Sequence, residues 1–432
     1  MYWNKDVECM PAKDLKKLQY RSFKTLIEKL YASNRFYHDR MKSVGVLPSD
    51  IASLKDVQKL PFMYKQDLRE NYPTKLFSVP NTEMTRYHVS SGTSGKPTVV
   101  GYTPNDIDYW SDALARSLTS IGVGKEDTLQ VSYGYGLFTG GLGLHYGAER
   151  VGATVLPTST GNTERQIELM QDLGVTVIAC TPSYLMYLMG VAAKMGIDFR
   201  RDTCLKKAVL GAEPWSESMR TKMEETMGIK AYDIYGTSEL AGPMFTECEE
   251  RNGIHICGDI MYVEILDPDT GEVLEDGEKG EMVVTMLKKE ALPIVRFRIK
   301  DVSSILKGDC PCGRTSPRIT RISGRTDDML IIRGINVFPS QIEYTLMRIP
   351  EIGDQYMIEV TREGPLDNMK IQVELKPEMF SDSVTDMVKL RARIETELKK
   401  HLEIAAAVEL KAPGELPRFE GKAKRVIDKR VI

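Results

Sequence analysis

From Ser90 to Thr98 the chain reads "SSGTSGKPT": small, hydroxylated or flexible residues around one cation, Lys96. Nothing in that run can bury a core. Consecutive small residues let backbone N–H groups turn toward one point and cradle phosphate oxygens. Ser90, Ser91, Thr93 and Ser94 add hydroxyl donors, and Gly92 and Gly95 leave the backbone free to turn. The chemistry these types suit is anion binding, with phosphate first. The loop of P-loop NTPases is excluded by spacing. It needs four residues between its glycine and the Gly-Lys pair, then a hydroxyl directly after the lysine. Here only Thr93 and Ser94 separate Gly92 from Gly95, and Pro97 follows Lys96. An ordinary flexible surface loop has the same composition.

A second set has metal-ligand types. Cys248 and His255 are spaced C-x6-H, and Cys310 and Cys312 flank one proline. Thiolate and imidazole suit tetrahedral zinc, which would cross-link two β loops in a structural role. Cys257, two residues after His255 and so on the same strand face, is a rival ligand. Scattered reduced thiols beside a surface histidine are the plain alternative.

These groups need elements to hold them. Residues 12–44 read as helical, with Leu15, Leu18, Phe23, Leu26, Ile27 and Leu30 at helical spacing. Residues 60–70 read as a turn into a short helix, and 103–122 as a capped helix ended by Gly122. Strands at 128–133, 175–179, 206–214 and 230–239 alternate with helices at 162–173, 183–195 and 216–227, the pattern of a parallel α/β sheet. Ligands in such sheets bind beyond the carboxyl ends of strands; "GAEP" (211–214) and "YGTSE" (235–239) lie there. From 258 to 323 a strand, a Pro-Asp-Thr-Gly turn and another strand imply antiparallel β structure. A different unit, with strand–helix–strand order and a basic end, starts near 324.

The 432 residues carry a net charge of −3, with 42% hydrophobic and 28% charged side chains. That balance excludes a global attraction to nucleic acid or anionic membrane. Seven sparse cysteines argue for a reducing, cytoplasmic compartment rather than a disulfide framework. The N-terminus lacks an apolar signal core. Val175 to Ala193 is long enough to span a bilayer but is interrupted by Pro182, and Leu129 to Ala148 carries six glycines and is a poor helix former. No transmembrane segment is expected.

In chain order, "SSGTSGKPT", "YGTSE", "RFRIKD" (296–301), "GRTDD" (324–328) and "GKAKR" (421–425) resemble the motifs of the adenylate-forming superfamily: acyl-coenzyme A synthetases, luciferases and peptide-synthetase adenylation domains. "YGYGLFTGGLGLHYGAERVGATVLP", "GAEPWSE" and "DDMLIIRGINVFPSQIE" are similar to the phenylacetate–coenzyme A ligase branch, over nearly the whole chain. The resemblance implies an α/β fold. A large N-terminal domain (1–326) would have parallel α/β sheets and an antiparallel β subdomain, and a small mobile α+β domain (327–432) would follow. It implies ATP- and Mg²⁺-dependent ligation of an aryl acid, phenylacetate first, to coenzyme A through an acyl-adenylate. No nucleic-acid or membrane partner is expected, and a homodimer is compatible. The rival readings are another aromatic acid, such as indoleacetate or a benzoate, and a zinc-stabilised protein using the basic tail on nucleic acid.

The resemblance also assigns roles. Ser90, Ser91, Gly92, Thr93, Ser94, Gly95 and Lys96 would hold phosphate; Thr237 would donate to the α-phosphate and Glu239 would hold Mg²⁺. Gly211, Ala212, Glu213 and Pro214 would line the adenine, with Asp233 accepting from its amino group. Asp301 would accept from both ribose hydroxyls, a diol suited to two carboxylate oxygens, and Arg325 would reach ribose or phosphate. Tyr135, Phe138 and Gly140, with Ala212, Tyr235 and Gly236, would form the acyl pocket, where glycines admit a flat ring and aromatics wall it. Lys422 would stabilise the anionic transition state electrostatically, and Asp327 would be the hinge that moves it. After Gly334 stands Ile335-Asn336, where many superfamily members carry a basic residue. Each role has a structural alternative. Asp301 pairs with Arg296 or Arg298, Arg325 pairs with Asp327 or Asp328, and the Thr237 motif caps a helix start with Glu239 solvated. Tyr135 and Phe138 pack in the core, and the basic tail is solvated.

Overall fold

The computed structural model describes the chain except residues 91–96, 138, 327–329, 333–334, 364–365, 380–383, 403, 419–424 and 431–432. The helical N-terminal pattern resolves into two helices, α1 (Ala12–Ser33) and α2 (Arg35–Ser43). Asn34 parts them, because its side chain accepts from the Tyr37 N–H and caps the second. A short helix α3 (Lys65–Glu70) follows. The hairpin β1 (Arg86–Val89) and β2 (Val99–Tyr102) leads into α4 (Pro104–Ser120), which starts at a Thr103/Asp106 capping box.

The central sheet has eight strands: β3 (Thr128–Val131), β4 (Thr154–Leu156), β5 (Val177–Cys180), β6 (Lys207–Gly211), β7 (Lys230–Thr237), β8 (Gly242–Glu247), β9 (Ile254–His255) and β13 (Arg318–Ile319). They lie in the order β13-β9-β8-β7-β6-β5-β3-β4. The run from β7 to β4 is parallel, and β8, β9 and β13 are antiparallel. Helices α5 (Gly140–Val151), α6 (Thr163–Asp172), α7 (Pro182–Lys194) and α8 (Glu217–Met227) connect the strands. Strand side chains alternate between two cores. Val177, Ala179, Val209, Tyr232 and Ile234 face the core shared with α1, α4 and α5; Ile178, Cys180, Ala208, Leu210 and Ala231 face that of α6, α7 and α8.

Helix α5 corrects the sequence expectation that 129–148 resists helix formation. Its glycines serve close packing. A Cβ at Gly147 would lie 2.4 Å from Leu114 Cβ, and one at Gly143 2.7 Å from the buried Trp110 ring. The cost of glycine in a helix is offset by letting α5 sit directly on α4.

Strands β10 (Met261–Leu266), β11 (Gly280–Met286) and β12 (Phe297–Ser303) form an antiparallel sheet. The Asp267 carboxylate caps the intervening turn by accepting from the Asp269 and Thr270 N–H groups. Beyond it come β14 (Leu330–Ile332), β15 (Ile335–Val337), α9 (Pro339–Leu346), β16 (Ile352–Glu363), β17 (Leu366–Leu375), α10 (Val384–Leu402), β18 (Ala407–Lys411) and β19 (Val426–Asp428). Their core, from Leu330 to Val408, is a third and separate cluster. Among the described residues no helix is long and apolar enough to cross a membrane.

Candidate active site

The parallel strands deliver their carboxyl ends to one edge of the sheet, and the sequence-marked groups meet there. β7 ends on Tyr235, Gly236 and Thr237, and a one-turn helix then carries Glu239. Gly236 is required by close approach, since a Cβ there would fall 2.1 Å from the Gly242 carbonyl oxygen. Thr237 Oγ1 is buried with no hydrogen-bond partner. Glu239 is 5% exposed, and its Oε1 accepts no hydrogen bond. The cation beside it is Lys65 of α3, with Nζ 3.4 Å from that oxygen. Buried polar atoms are nearly always satisfied. A buried carboxylate oxygen without a hydrogen bond, two residues from a buried hydroxyl without one, fits a hard cation and the phosphate oxygens it would carry.

Asp301, 5% exposed within β12, has neither of the arginine partners that sequence adjacency offered. Arg296 pairs with buried Glu264 and Arg298 with buried Glu281. Asp301 accepts instead from Arg325 Nη1 at 2.7 Å and from the Tyr235 hydroxyl. Burial first, then the Asp301 charge, pushes the Tyr235 phenol well above its usual range, so it stays a donor. Thus three residues from separate motifs form one knot beside Glu239.

The hairpin β1–β2 closes on Ser90 and Thr98, which flank residues 91–96. Ser90 N–H donates to the Thr98 carbonyl at 2.9 Å, and Thr98 N–H donates to Ser90 Oγ at 3.1 Å. Ser91 to Lys96 themselves lie outside the described residues, as do Phe138, Asp327 and Lys422. The hairpin is tied to the stretch that precedes α5 by Val89 N–H donating to the Leu137 carbonyl at 3.1 Å. That segment reaches the Glu239 turn through Thr139 Oγ1 and Ser238 Oγ, 3.4 Å apart. Tyr135 lies half-buried, its hydroxyl 3.2 Å from His145 Nδ1, and Gly140 starts α5.

At the end of β6, Ala212 takes a left-handed backbone (φ 71°), an unusual conformation for a residue with a Cβ. Ala212 and Pro214 are exposed. Glu213 spends one carboxylate oxygen on the Ser183 N–H, at 2.6 Å, at the start of α7. Asp233 is likewise part-committed, its Oδ2 accepting from Arg321 Nε at 2.7 Å.

Sequence reasoning missed Lys65, Arg321 and His145, which no motif marks, and Lys289, hidden in "LKKEALP". Lys289 is 2% exposed, makes no hydrogen bond, and lies 4.5 Å from the Tyr102 ring centroid. Burial lowers its amine to about 8 against the pull of Asp106 and Glu239.

The second set also converges. The ligand atoms of Cys248, His255, Cys310 and Cys312 lie within 4.8 Å of one another. Cys248 Sγ is 3.6 Å from Cys310 Sγ, and Cys312 Sγ is 3.5 Å from His255 Nε2. Such separations are close to the edges of a tetrahedron with metal–ligand bonds of about 2.0–2.3 Å. His255 Nδ1 contacts Ser316 Oγ at 3.2 Å, which turns Nε2 toward the sulfurs. Cys257 is not in the group. β9 ends at His255, so the strand alternation does not carry to Cys257, whose Sγ faces the Met244 carbonyl. All seven cysteines are free thiols.

Residues 87–286 match the family model described as AMP-binding enzyme, and 334–430 match the AMP-binding enzyme C-terminal domain. A phenylacetate-coenzyme A ligase of Thermus thermophilus is 45% identical over 445 residues, covering 100% of both chains. The Escherichia coli enzyme of that name is 44% identical, over 99% of this chain and 97% of its own. A 2-hydroxyisobutyryl-CoA ligase in its postadenylation state superposes with a TM-score of 0.93 at 29% identity, over 99% of this chain and 92% of that one. The same ligase in its thioesterification state gives 0.73 at 30% identity, with the same coverage. The chain therefore belongs to the AMP-binding, adenylate-forming enzymes, on the branch of the phenylacetate–coenzyme A ligases.

Proposed function

We propose that this ATP-dependent ligase joins an aryl carboxylic acid, phenylacetate first, to coenzyme A, and that the edge of the sheet at Glu239 is where it does so. In the first half-reaction a carboxylate oxygen of the acid attacks the α-phosphorus of ATP and pyrophosphate leaves, giving the acyl-adenylate. In the second, the coenzyme A sulfur attacks the acyl carbonyl, its proton is lost, and AMP leaves.

Glu239 and Thr237 would hold Mg²⁺ and an α-phosphate oxygen; bound there, the metal would offset phosphate charge. Ser90, Ser91, Gly92, Thr93, Ser94, Gly95 and Lys96 would hold the phosphates. The knot of Asp301, Arg325 and Tyr235 would open toward a ribose diol. Gly211, Ala212, Glu213, Pro214 and Asp233 would border the adenine. Tyr135, Phe138 and Gly140, with Ala212, Tyr235 and Gly236, would wall the acid. The observation that carries this reading is the pair of buried oxygens at Thr237 and Glu239 that make no hydrogen bond, close in sequence to Tyr235 of that knot.

Lys422 would bring a cation to the crowded anionic transition state, and rotation about Asp327, at a boundary of 326/327, would take it away before coenzyme A attacks. Lys422→Ala should slow adenylation by about 10²–10³-fold and spare thioester formation from supplied acyl-adenylate; equal loss in both halves contradicts the role. The cysteine–histidine group would hold a structural Zn²⁺, and the reduced thiols fit a cytoplasmic setting. Pyrophosphate–ATP exchange with phenylacetate, indoleacetate and benzoate tests the substrate. Fastest exchange with phenylacetate supports the first choice, and no exchange with any aryl acid overturns the class.

A further inference from the structure

The part of the chain beyond residue 330 rests against the N-terminal part along a defined seam. Lys222 of α8 reaches Asp354, with Nζ 2.7 and 3.0 Å from its two carboxylate oxygens. Asp354 lies where the pairing of β16 with β17 is irregular, between Ile352 and Tyr356. Such an irregularity turns a side chain out of the regular pleat. Met347, at the end of α9, packs against two cores at once, that of α7 and α8 and that of its own unit. Ser340 Oγ donates to the Ser323 carbonyl at 2.6 Å. Behind the seam, the buried carboxylate of Glu343 accepts from the Tyr356 hydroxyl at 2.7 Å.

The seam connects mechanically to the tail. The Arg425 guanidinium lies 4.4 Å from the Tyr356 ring centroid. Ile358 N–H donates to the Arg425 carbonyl at 2.7 Å. β19 then runs parallel to β16, with Val426 opposite Ile358. Strand β16 is thus fastened to α8 at its start and to the segment that follows Lys422 a few residues on.

We propose that Asp354 and Met347 are positioning residues that dock the C-terminal unit on α8, so that the unliganded chain rests in the adenylate-forming arrangement and the Lys222–Asp354 pair must part before coenzyme A is used. The proposal rests on the ligase reading and goes beyond it by naming the resting state and the contact that sets it. The resemblance to the postadenylation structure rather than the thioesterification structure agrees with it. The pair is partly exposed, 44% at Lys222 and 31% at Asp354, so it biases an equilibrium instead of locking it.

The test compares the parent, Asp354→Lys, and Lys222→Asp combined with Asp354→Lys. Three quantities are read: pyrophosphate–ATP exchange, thioester formation from supplied acyl-adenylate, and trypsin cleavage after Arg325 or Arg333 without any ligand. Asp354→Lys is expected to slow exchange roughly threefold to tenfold, the scale of a surface pair turned from attraction to repulsion. It should leave the thioester step unchanged or faster and hasten cleavage. The charge-swapped double variant should recover all three. Equal decline of both half-reactions, unchanged cleavage, or no recovery in the double variant overturns the proposal. If the parent itself shows no exchange with any aryl acid, the ligase reading fails, and cleavage still decides whether the seam holds the two parts together.

Discussion

Two regions around the strand β7 handle buried charge in opposite ways. Beside its middle, the carboxylates of Asp233 and of Glu247 on the neighbouring β8 have their partners built in. Glu247 accepts from Arg220 Nη1 and Nη2 at 2.9 Å each, and from the Asp233 N–H at 2.8 Å, while Arg321 holds Asp233. At its carboxyl end, Thr237 Oγ1 and Glu239 Oε1 are as deeply placed and have no hydrogen bond. Nearby, the Lys289 ammonium is buried against the Tyr102 ring without a hydrogen bond, within the pull of Asp106 and Glu239. Leaving a buried polar group unpaired costs about 1–3 kcal/mol, and more for a charge. The first region spends its polar groups on the fold. The second leaves them without hydrogen bonds, Glu239 facing the Lys65 ammonium at 3.4 Å, which suits a site for a metal-bound polyanion.

Removing one partner from the satisfied region has the largest expected effect on folding. Glu247→Ala takes the buried carboxylate away from the Arg220 guanidinium and should cost about 3–5 kcal/mol in denaturant unfolding, with exchange per folded molecule nearly unchanged. A small stability loss with exchange abolished would reverse the two regions' roles.

Lys289→Met sharpens the contrast from the other side. The amine titrates near 8 in the folded protein against an ordinary 10.5. Between those values the unfolded chain holds a proton that the folded chain lacks, so parent stability rises with pH across that window. Below 8 both states are protonated and the penalty is constant. The variant should therefore be more stable than the parent near neutral pH, by roughly 3 kcal/mol. Its advantage should shrink to nothing toward pH 10.5. Melting curves across that range check it, and a variant less stable than the parent at pH 7 would mean that the ammonium has a partner.

The cysteine–histidine group should behave as a folded-in ligand set. Cys310→Ser with Cys312→Ser should lower zinc content and melting temperature together, by several degrees. Unchanged zinc stoichiometry contradicts the assignment.

Much of this was legible in the sequence. The alternation of strands and helices gave the parallel sheet, and motif order placed Tyr235, Asp301 and Arg325 in one site, where they now form one knot. The four metal-type residues were readable from spacing and residue type. Other features depend on packing that no local pattern encodes. The glycines of α5 looked like helix breakers until the Trp110 and Leu114 surfaces explained them. Arg321 and Lys65 carry no motif, because their importance lies in what the fold brings opposite them. Cys257 satisfied the strand period but fell beyond the end of its strand.

The central claim is that Glu239 is a buried carboxylate, without a hydrogen bond at Oε1 and facing the Lys65 ammonium, held for a metal-bound nucleotide. Glu239→Gln, which keeps shape and removes charge, tests it most directly, with pyrophosphate–ATP exchange followed across Mg²⁺ concentration. The account predicts a protein at least as stable as the parent whose exchange falls about 10²-fold and needs more Mg²⁺ for half-maximal rate. An unchanged rate and Mg²⁺ dependence in a normally folded variant would contradict it.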